Sequence, residues 1–277
     1  MPLLHKTAAL AALASASTVL GWTLETQPWM SDPYELDFDT AFTYSHYPKV
    51  EGASRQLKHP SNDRLLAMDL KLTASQNFDV QLEAEFADTP RQKWGWRSGA
   101  AQARYRWLND INGDPFSLVT GADVRIVSQH SLRDVSCPYH SNFNAELSTA
   151  AGKEWSKDSN WTMHLWGTLK AGIANHGAPW LLSELVWRRN WADTHRFTLF
   201  AEGYFGFGGR EHVNVDHFHG WSHFHHQSID LGTGYGYHFH TWGTLSLTYA
   251  YRVYARAFPE RINFVMLRYC LPFSPFY

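Results

Sequence analysis

The densest chemistry in this 277-residue chain lies between Gly209 and His226. Six of its 16 histidines, His212, His217, His219, His223, His225 and His226, fall in this stretch. Two His-x-His pairs stand out, His217-Phe-His219 and His223-Phe-His225. In extended chain, residues i and i+2 project to the same side, so each pair could offer two imidazoles to one ion. Neutral imidazole suits Zn, Cu or Ni, and Asp216 or Glu211 could add a carboxylate. Because histidine titrates near neutral pH, the same loop could instead be a pH-sensitive lid. The plainer reading, adopted here, is a polar and aromatic surface loop that also seats Trp221. No cofactor is then expected, with zinc or another transition metal at His217, His219, His223 and His225 as the alternative. At the end of the loop, His226-Gln227-Ser228 with Asp230 two residues on has the composition of a base, a nucleophile and an orienting acid.

A second constellation is made of charge rows at a spacing of two. Asp79, Glu83 and Glu85 occupy one such row, and Gln102, Arg104 and Arg106 the next. Asp123, Arg125, Glu146, Glu154, His164, Lys170, Glu184, Arg188, Arg196, Glu202, Asp230, Arg252 and Arg268 continue the phase. Carboxylate and arginine rows on neighbouring strands would pair across the sheet. Such residues could form the charged constriction of a pore or an ion-paired interior that conducts little. The second is expected, with Asp79, Glu83, Glu85, Arg104, Arg106, Asp123, Arg125, Glu202 and Arg252 lining the interior. Gly232, Gly234 and Gly236 share one strand phase and precede no helix. They read as space for large facing side chains, not as a phosphate loop.

The elements that must hold these rows are strands. Phe78, Val80, Leu82, Ala84 and Phe86 take one face and Asp79, Gln81, Glu83 and Glu85 the other, a strict period of two. The same alternation marks twelve segments: Leu36–Tyr47, Leu65–Ser75, Phe78–Ala87, Gly99–Trp107, Phe116–Val127, Phe143–Glu154, Trp161–Gly172, Trp180–Arg189, Arg196–Gly208, Gln227–Phe239, Trp242–Tyr254 and Ile262–Phe273. The segment from Trp180 alternates least well. Most exceed the five or six residues or so of a globular strand and match the roughly 9–11 of a tilted membrane strand. Short turns alternate with longer connectors, and the long ones follow the odd-numbered segments. That asymmetry expects an up-and-down barrel with both chain ends on the side of the short turns.

Composition and the ends agree. After Gly21 no apolar run approaches the roughly 18 residues of a membrane helix. The aromatic content of 16%, with 13 Trp and 13 Tyr, suits two aromatic girdles. A net charge of −2 and mixed signs give no footprint for nucleic acid. Residues 1–21, with Lys6, an apolar run from Thr7 to Leu20, and small residues at Ala14 and Ala16 or Val19 and Gly21, read as a secretory signal peptide. Residues 22–277 then form one barrel domain. Cys137 and Cys270 fall at opposite ends of that barrel and are not expected to bond.

Tyr269, Leu271, Phe273, Pro275 and Tyr277 alternate to an aromatic last residue. In this the chain resembles the outer-membrane β-barrel proteins of Gram-negative bacteria. The resemblance implies an antiparallel transmembrane barrel, outer-membrane residence in contact with the lipid bilayer, and reading of the C-terminal strand by the barrel-assembly machinery. Twelve strands lie between the eight that side chains fill and the 16–18 or so that leave a channel, so a narrow pore or a structural barrel is expected. The balance of signs argues against strong ion selectivity. A second likeness concerns His226 and Ser228, since barrel lipid hydrolases such as phospholipase A and lipid A deacylase carry a His-x-Ser pair. Their motif continues with Asn, where this chain has Ile229, and their pair faces lipid, where Ile229 and Leu231 turn His226 and Ser228 inward. A barrel-embedded hydrolase is therefore the alternative function.

Overall fold

The computed structural model describes residues 24–57, 59–157 and 160–273. The expected signal segment 1–21 and the terminal Pro275 and Tyr277 lie outside the described residues. The strands are β1 (Leu36–Tyr47), β2 (Lys49–Val50), β3 (Ser61–Ser75), β4 (Phe78–Asp88), β5 (Gly95–Leu108), β6 (Ser117–Val127), β7 (Phe143–Lys157), β8 (Asn160–Ala174), β9 (Trp180–Trp191), β10 (His195–Gly206), β11 (Gln227–His238), β12 (Thr244–Arg256), β13 (Pro259–Glu260) and β14 (Asn263–Phe273). Twelve of them close into an antiparallel barrel in simple up-and-down order. Closure is made by β1 on β14, from Leu36 opposite Phe273 to His46 opposite Asn263. The two-residue strands β2 and β13 pair with each other outside the barrel.

The period-two pattern dictates which face each side chain takes. Leu82, Leu147, Leu185 and Leu247 are 59%, 69%, 57% and 52% exposed, while the strand neighbours of Leu82 and Leu185 are buried and those of Leu147 and Leu247 half-buried. A soluble protein would not leave so continuous an apolar belt uncovered. Trp107, Trp191 and Trp242 rim this belt near the short turns. The strand from Ser61 starts four residues before the alternation expected it. Ser61 and Asp63 extend the inward phase, and Ser61 Oγ bonds to Asp63 Oδ1 at 2.7 Å.

The long connectors do not stand away from the barrel. Residues 128–142 and 209–226 fold over its end and bury Leu132, Val135, Tyr139, Val213, Val215, Phe218, Trp221 and Phe224 in one apolar cluster. Polar links tie this roof down. Trp221 Nε1 donates to the Cys137 carbonyl at 2.8 Å, and Tyr204 Oη donates to that of Pro138 at 3.0 Å. Cys137 and Cys270 are both free and buried.

Candidate functional site in the barrel interior

The interior is built from the inward row of every strand, and several of its charges come in pairs. Arg104 grips Asp79 with two bonds, Nε at 3.0 Å and Nη2 at 2.5 Å. Arg125 binds Glu83 and lies 3.8 Å from Glu85. Glu85 also accepts bonds from Ser98 Oγ at 2.7 Å and Tyr139 Oη at 2.6 Å. Arg252 forks onto Asp230 at 2.7 and 2.8 Å, and Arg268 onto Asp39 at 2.9 Å. Two parallel N–H···O bonds satisfy both partners where water is scarce. Asp123 and Glu202 are likewise buried. Arg106 differs from the other residues of the charge rows. It is half-exposed near the short turns, where it donates to the Gln76 carbonyl and to Asn77 Oδ1, because β5 carries an irregularity between Arg106 and Leu108.

The space between these rows is occupied. Residues 24–31, Leu-Glu-Thr-Gln-Pro-Trp-Met-Ser, form an arm that is buried throughout and runs inside the barrel before the chain enters β1. The wall binds it at every step. Glu25 N donates to Gln81 Oε1 at 2.9 Å, and Lys71 Nζ lies 2.8 Å from Asp37 and 3.7 Å from Glu25. Thr168 Oγ1 donates to the Thr26 carbonyl at 3.1 Å. Arg104 Nη1 donates to the Gln27 carbonyl at 2.8 Å, and Arg188 Nη1 to Gln27 Oε1 at 3.3 Å. Trp29 stacks on His164, which stacks in turn on Trp161, with ring centroids 4.1 and 4.2 Å apart. Trp29 Nε1 donates to Asp110 Oδ1 at 3.0 Å in the short turn below. Two cavities beside the arm and roof measure ≈ 10 and ≈ 30 Å³, room for a water or two.

Apolar and small inward residues complete the packing, and they explain where the alternation faltered. Leu182 and Val186 of β9 point inward, fully buried, against the same apolar cluster. Three large rings rest on glycines of the facing strand. Trp180 covers Gly172, Phe200 covers Gly232, and His226 covers Gly206; a Cβ at any of the three would collide with the ring.

The histidine loop is arranged otherwise than its spacing suggested. Phe218 and Phe224 point into the roof, which leaves His217, His219 and His223 exposed and His225 half-buried. Val215–His217 is a turn of 3-10 helix, so the first pair is not in extended chain. Among the described residues no group of three His, Cys, Asp or Glu side chains is placed to hold a metal ion. His226 and Ser228 both point inward and are buried. His226 Nε2 meets His140 Nε2 at 3.2 Å, while His226 Nδ1 and Ser228 Oγ have no hydrogen-bond partner. Asp230 is held by Arg252, so the three residues are not linked to one another.

No family model matches the chain, and no curated protein matches its sequence. Solved structures do match its fold. A COG4313 outer-membrane channel from Pseudomonas putida F1 superposes with a TM-score of 0.63 at 11% identity, over 88% of this chain and 97% of that one. The NanC porin superposes with a TM-score of 0.55 at 9% identity, over 84% of this chain and 98% of that one. The fold is thus the closed, twelve-stranded, antiparallel barrel of Gram-negative outer-membrane proteins.

Proposed function

We propose that this protein spans the outer membrane as a narrow pore, shut in this structure by the arm 24–31 from within and by the roof from outside. The exposed apolar belt meets lipid, the short turns face the periplasm, and the long connectors face outward. The barrel-assembly machinery would take up the chain through its C-terminal strand, and no cofactor is required. One observation carries the reading: the arm sits in the lumen on polar bonds to the wall. Hydrogen bonds to a wall that is itself ion-paired can be exchanged for water, because each net bond contributes only about 1 kcal/mol. Trp29, packed edge-on against Trp166 in the apolar cluster with ring centroids 5.8 Å apart, is the large apolar anchor that must give. The arm can therefore leave without unfolding the barrel, and the Asp79–Arg104 and Asp230–Arg252 pairs stay behind to satisfy the wall.

Planar-bilayer conductance tests this. The refolded chain from Trp22 should stay mostly closed. Deleting residues 22–31, or replacing Gln27 by Gly together with Trp29 by Ala, should give a persistent open level. A folded arm-less barrel that stays silent would overturn the pore.

A further inference from the structure

The outward end of the barrel holds a polar hollow that neither the arm nor the pore uses. It measures ≈ 240 Å³ and is walled by three connectors: Gln129, Arg133, Ser141 and Asn142 come from residues 128–142, His176 from the β8–β9 connector, and His219 from the loop 209–226. Its backbone is pinned. Asn144 Oδ1 accepts from the His140 and Ser141 amides, both at 3.2 Å, and Asn144 Nδ2 donates to the Ser141 carbonyl at 2.7 Å. Arg133 ends a 3-10 turn, its amide donating to the His130 carbonyl at 3.2 Å. The Ala178 amide donates to the Ser222 carbonyl at 2.7 Å, which ties the connector of His176 to that of His219.

The side chains around the hollow are hydrogen-bond donors in want of an acceptor. Among the described residues, those of Gln129, Arg133, Asn142 and His219 make no hydrogen bond, ion pair or ring contact, and no carboxylate lines the hollow. Other arginines at this end have a carboxylate within reach, Arg55 with Asp216, Arg64 with Asp88 and Arg256 with Glu211. A guanidinium fork beside amide and imidazole N–H groups matches an oxyanion. Donors converging from three connectors suit the several oxygens of a phosphate better than the two of a planar carboxylate. The place of the hollow decides the source of that phosphate. Gln129, Asn142 and His176 directly follow or precede Ile126, Phe143 and Ile173, the outermost exposed apolar residues of β6, β7 and β8. Ile126 and Phe143 stand opposite each other in the sheet. Three extended residues reach about 10 Å, so the hollow lies just above the upper edge of the apolar belt, at the height of lipid headgroups.

We infer that this hollow binds the phosphorylated sugar headgroup of an outer-leaflet lipid, with Arg133 forked onto the phosphate, Gln129, Asn142 and His219 on its remaining oxygens and the sugar hydroxyls, and the acyl chains on Ile126, Phe143 and Ile173. The inference rests on the outward orientation of the long connectors proposed above, and not on the pore.

The test uses the full chain expressed in a Gram-negative host, purified in detergent micelles and freed of native lipid. Native mass spectrometry counts bound lipid, with bisphosphorylated lipid A as the probe. Wild type should hold one lipid A at least about tenfold more tightly than the dephosphorylated form. Arg133→Gln should weaken binding about tenfold, and Arg133→Lys less, because an ammonium keeps the charge without the fork. Arg261→Gln, at the same end but outside the hollow, should leave it unchanged. Equal affinity for the phosphorylated and dephosphorylated lipids, a comparison that needs no variant, would overturn the inference. So would wild-type affinity in Arg133→Gln, or inorganic phosphate bound as tightly as lipid A, which would assign the hollow to a free anion. Orientation is read separately by labelling His217→Cys with a membrane-impermeant maleimide on intact cells, since Cys137 and Cys270 are buried. An unlabelled cysteine sinks the orientation and this inference with it. A labelled cysteine without preference for the phosphate sinks only this inference.

Discussion

At the scale of single residues, the cost of a substitution depends on what it leaves behind. Asp230 and Arg252 are both 1% exposed and share two bonds. Asp230→Asn leaves the guanidinium buried and uncompensated, so it should destabilise the barrel by about 3–5 kcal/mol. Adding Arg252→Met should recover a large part of that loss, and urea unfolding of the vesicle-inserted protein reads the cycle. On the opposite face, Leu82→Arg puts a charge on the apolar belt, at about 2–4 kcal/mol if it lies near the bilayer midplane. Burial raises the Glu35 carboxyl, aided by repulsion from Asp37, from an ordinary 4.5 to about 7. The unfolded chain ionises this group first, so its contribution to stability is complete below about 4.5 and is lost as pH rises through about 7. Glu35→Gln should therefore stabilise the protein above about pH 7 and leave it unchanged below about 4.5, as thermal unfolding across that range would show.

At the scale of elements, the strands were legible in the sequence and the segments that close the barrel were not. A strand with lipid on one side and charge on the other must alternate, and β4 from Phe78 to Asp88 does so without a break. The arm 24–31 has no period and contains Pro28. Its partners on the wall stand far away in the chain, 56 residues for Glu25–Gln81 and 161 for Gln27–Arg188, with Lys71 the nearest of them to Glu25, so no local pattern announces it. The roof was hidden for a related reason. The pairs at His217 and His223 draw attention as ligands, whereas Phe218 and Phe224 between them do the packing. The buried histidines of the roof have a consequence of their own. His140 bridges Tyr204 and His226, with Nδ1 3.0 Å from Tyr204 Oη and Nε2 3.2 Å from His226 Nε2, while Tyr204 Oη also reaches the Pro138 carbonyl. Burial, with Arg252 nearby, lowers His226 from 6.5 to about 3, and burial beside His226 also holds His140 low. Stability from His226 is complete above about 6.5 and lost as pH falls toward about 3. Amide exchange in residues 128–142 should accelerate over that window, and His226→Gln should flatten the dependence.

At the scale of the whole molecule, the barrel is a wall carrying ion pairs such as Asp79–Arg104 and Asp230–Arg252, closed around an arm that belongs to none of its strands. Far-UV circular dichroism in detergent should show dominant β structure both with and without residues 22–31, since the arm adds no strand to the sheet. Loss of the β signal on deletion would mean that the arm is core and not occupant. The rings seated on glycines bear on how such a wall assembles. Trp180 stands opposite Gly172, and Phe200 opposite Gly232, in the pairing of adjacent strands. A slip of two residues between neighbours would preserve the inside-outside phase and the backbone ladder, so neither hydrophobicity nor hydrogen bonding would oppose it. At the β8–β9 seam it would drive Trp180 into Lys170 or Ala174; at the β10–β11 seam it would drive Phe200 into Asp230 in one direction, while the other direction meets the bare Gly234. The bare backbone of Gly172 beneath Trp180 works as a keyhole that only one alignment of β8 and β9 fits, a proofreading step written into that seam of the cylinder.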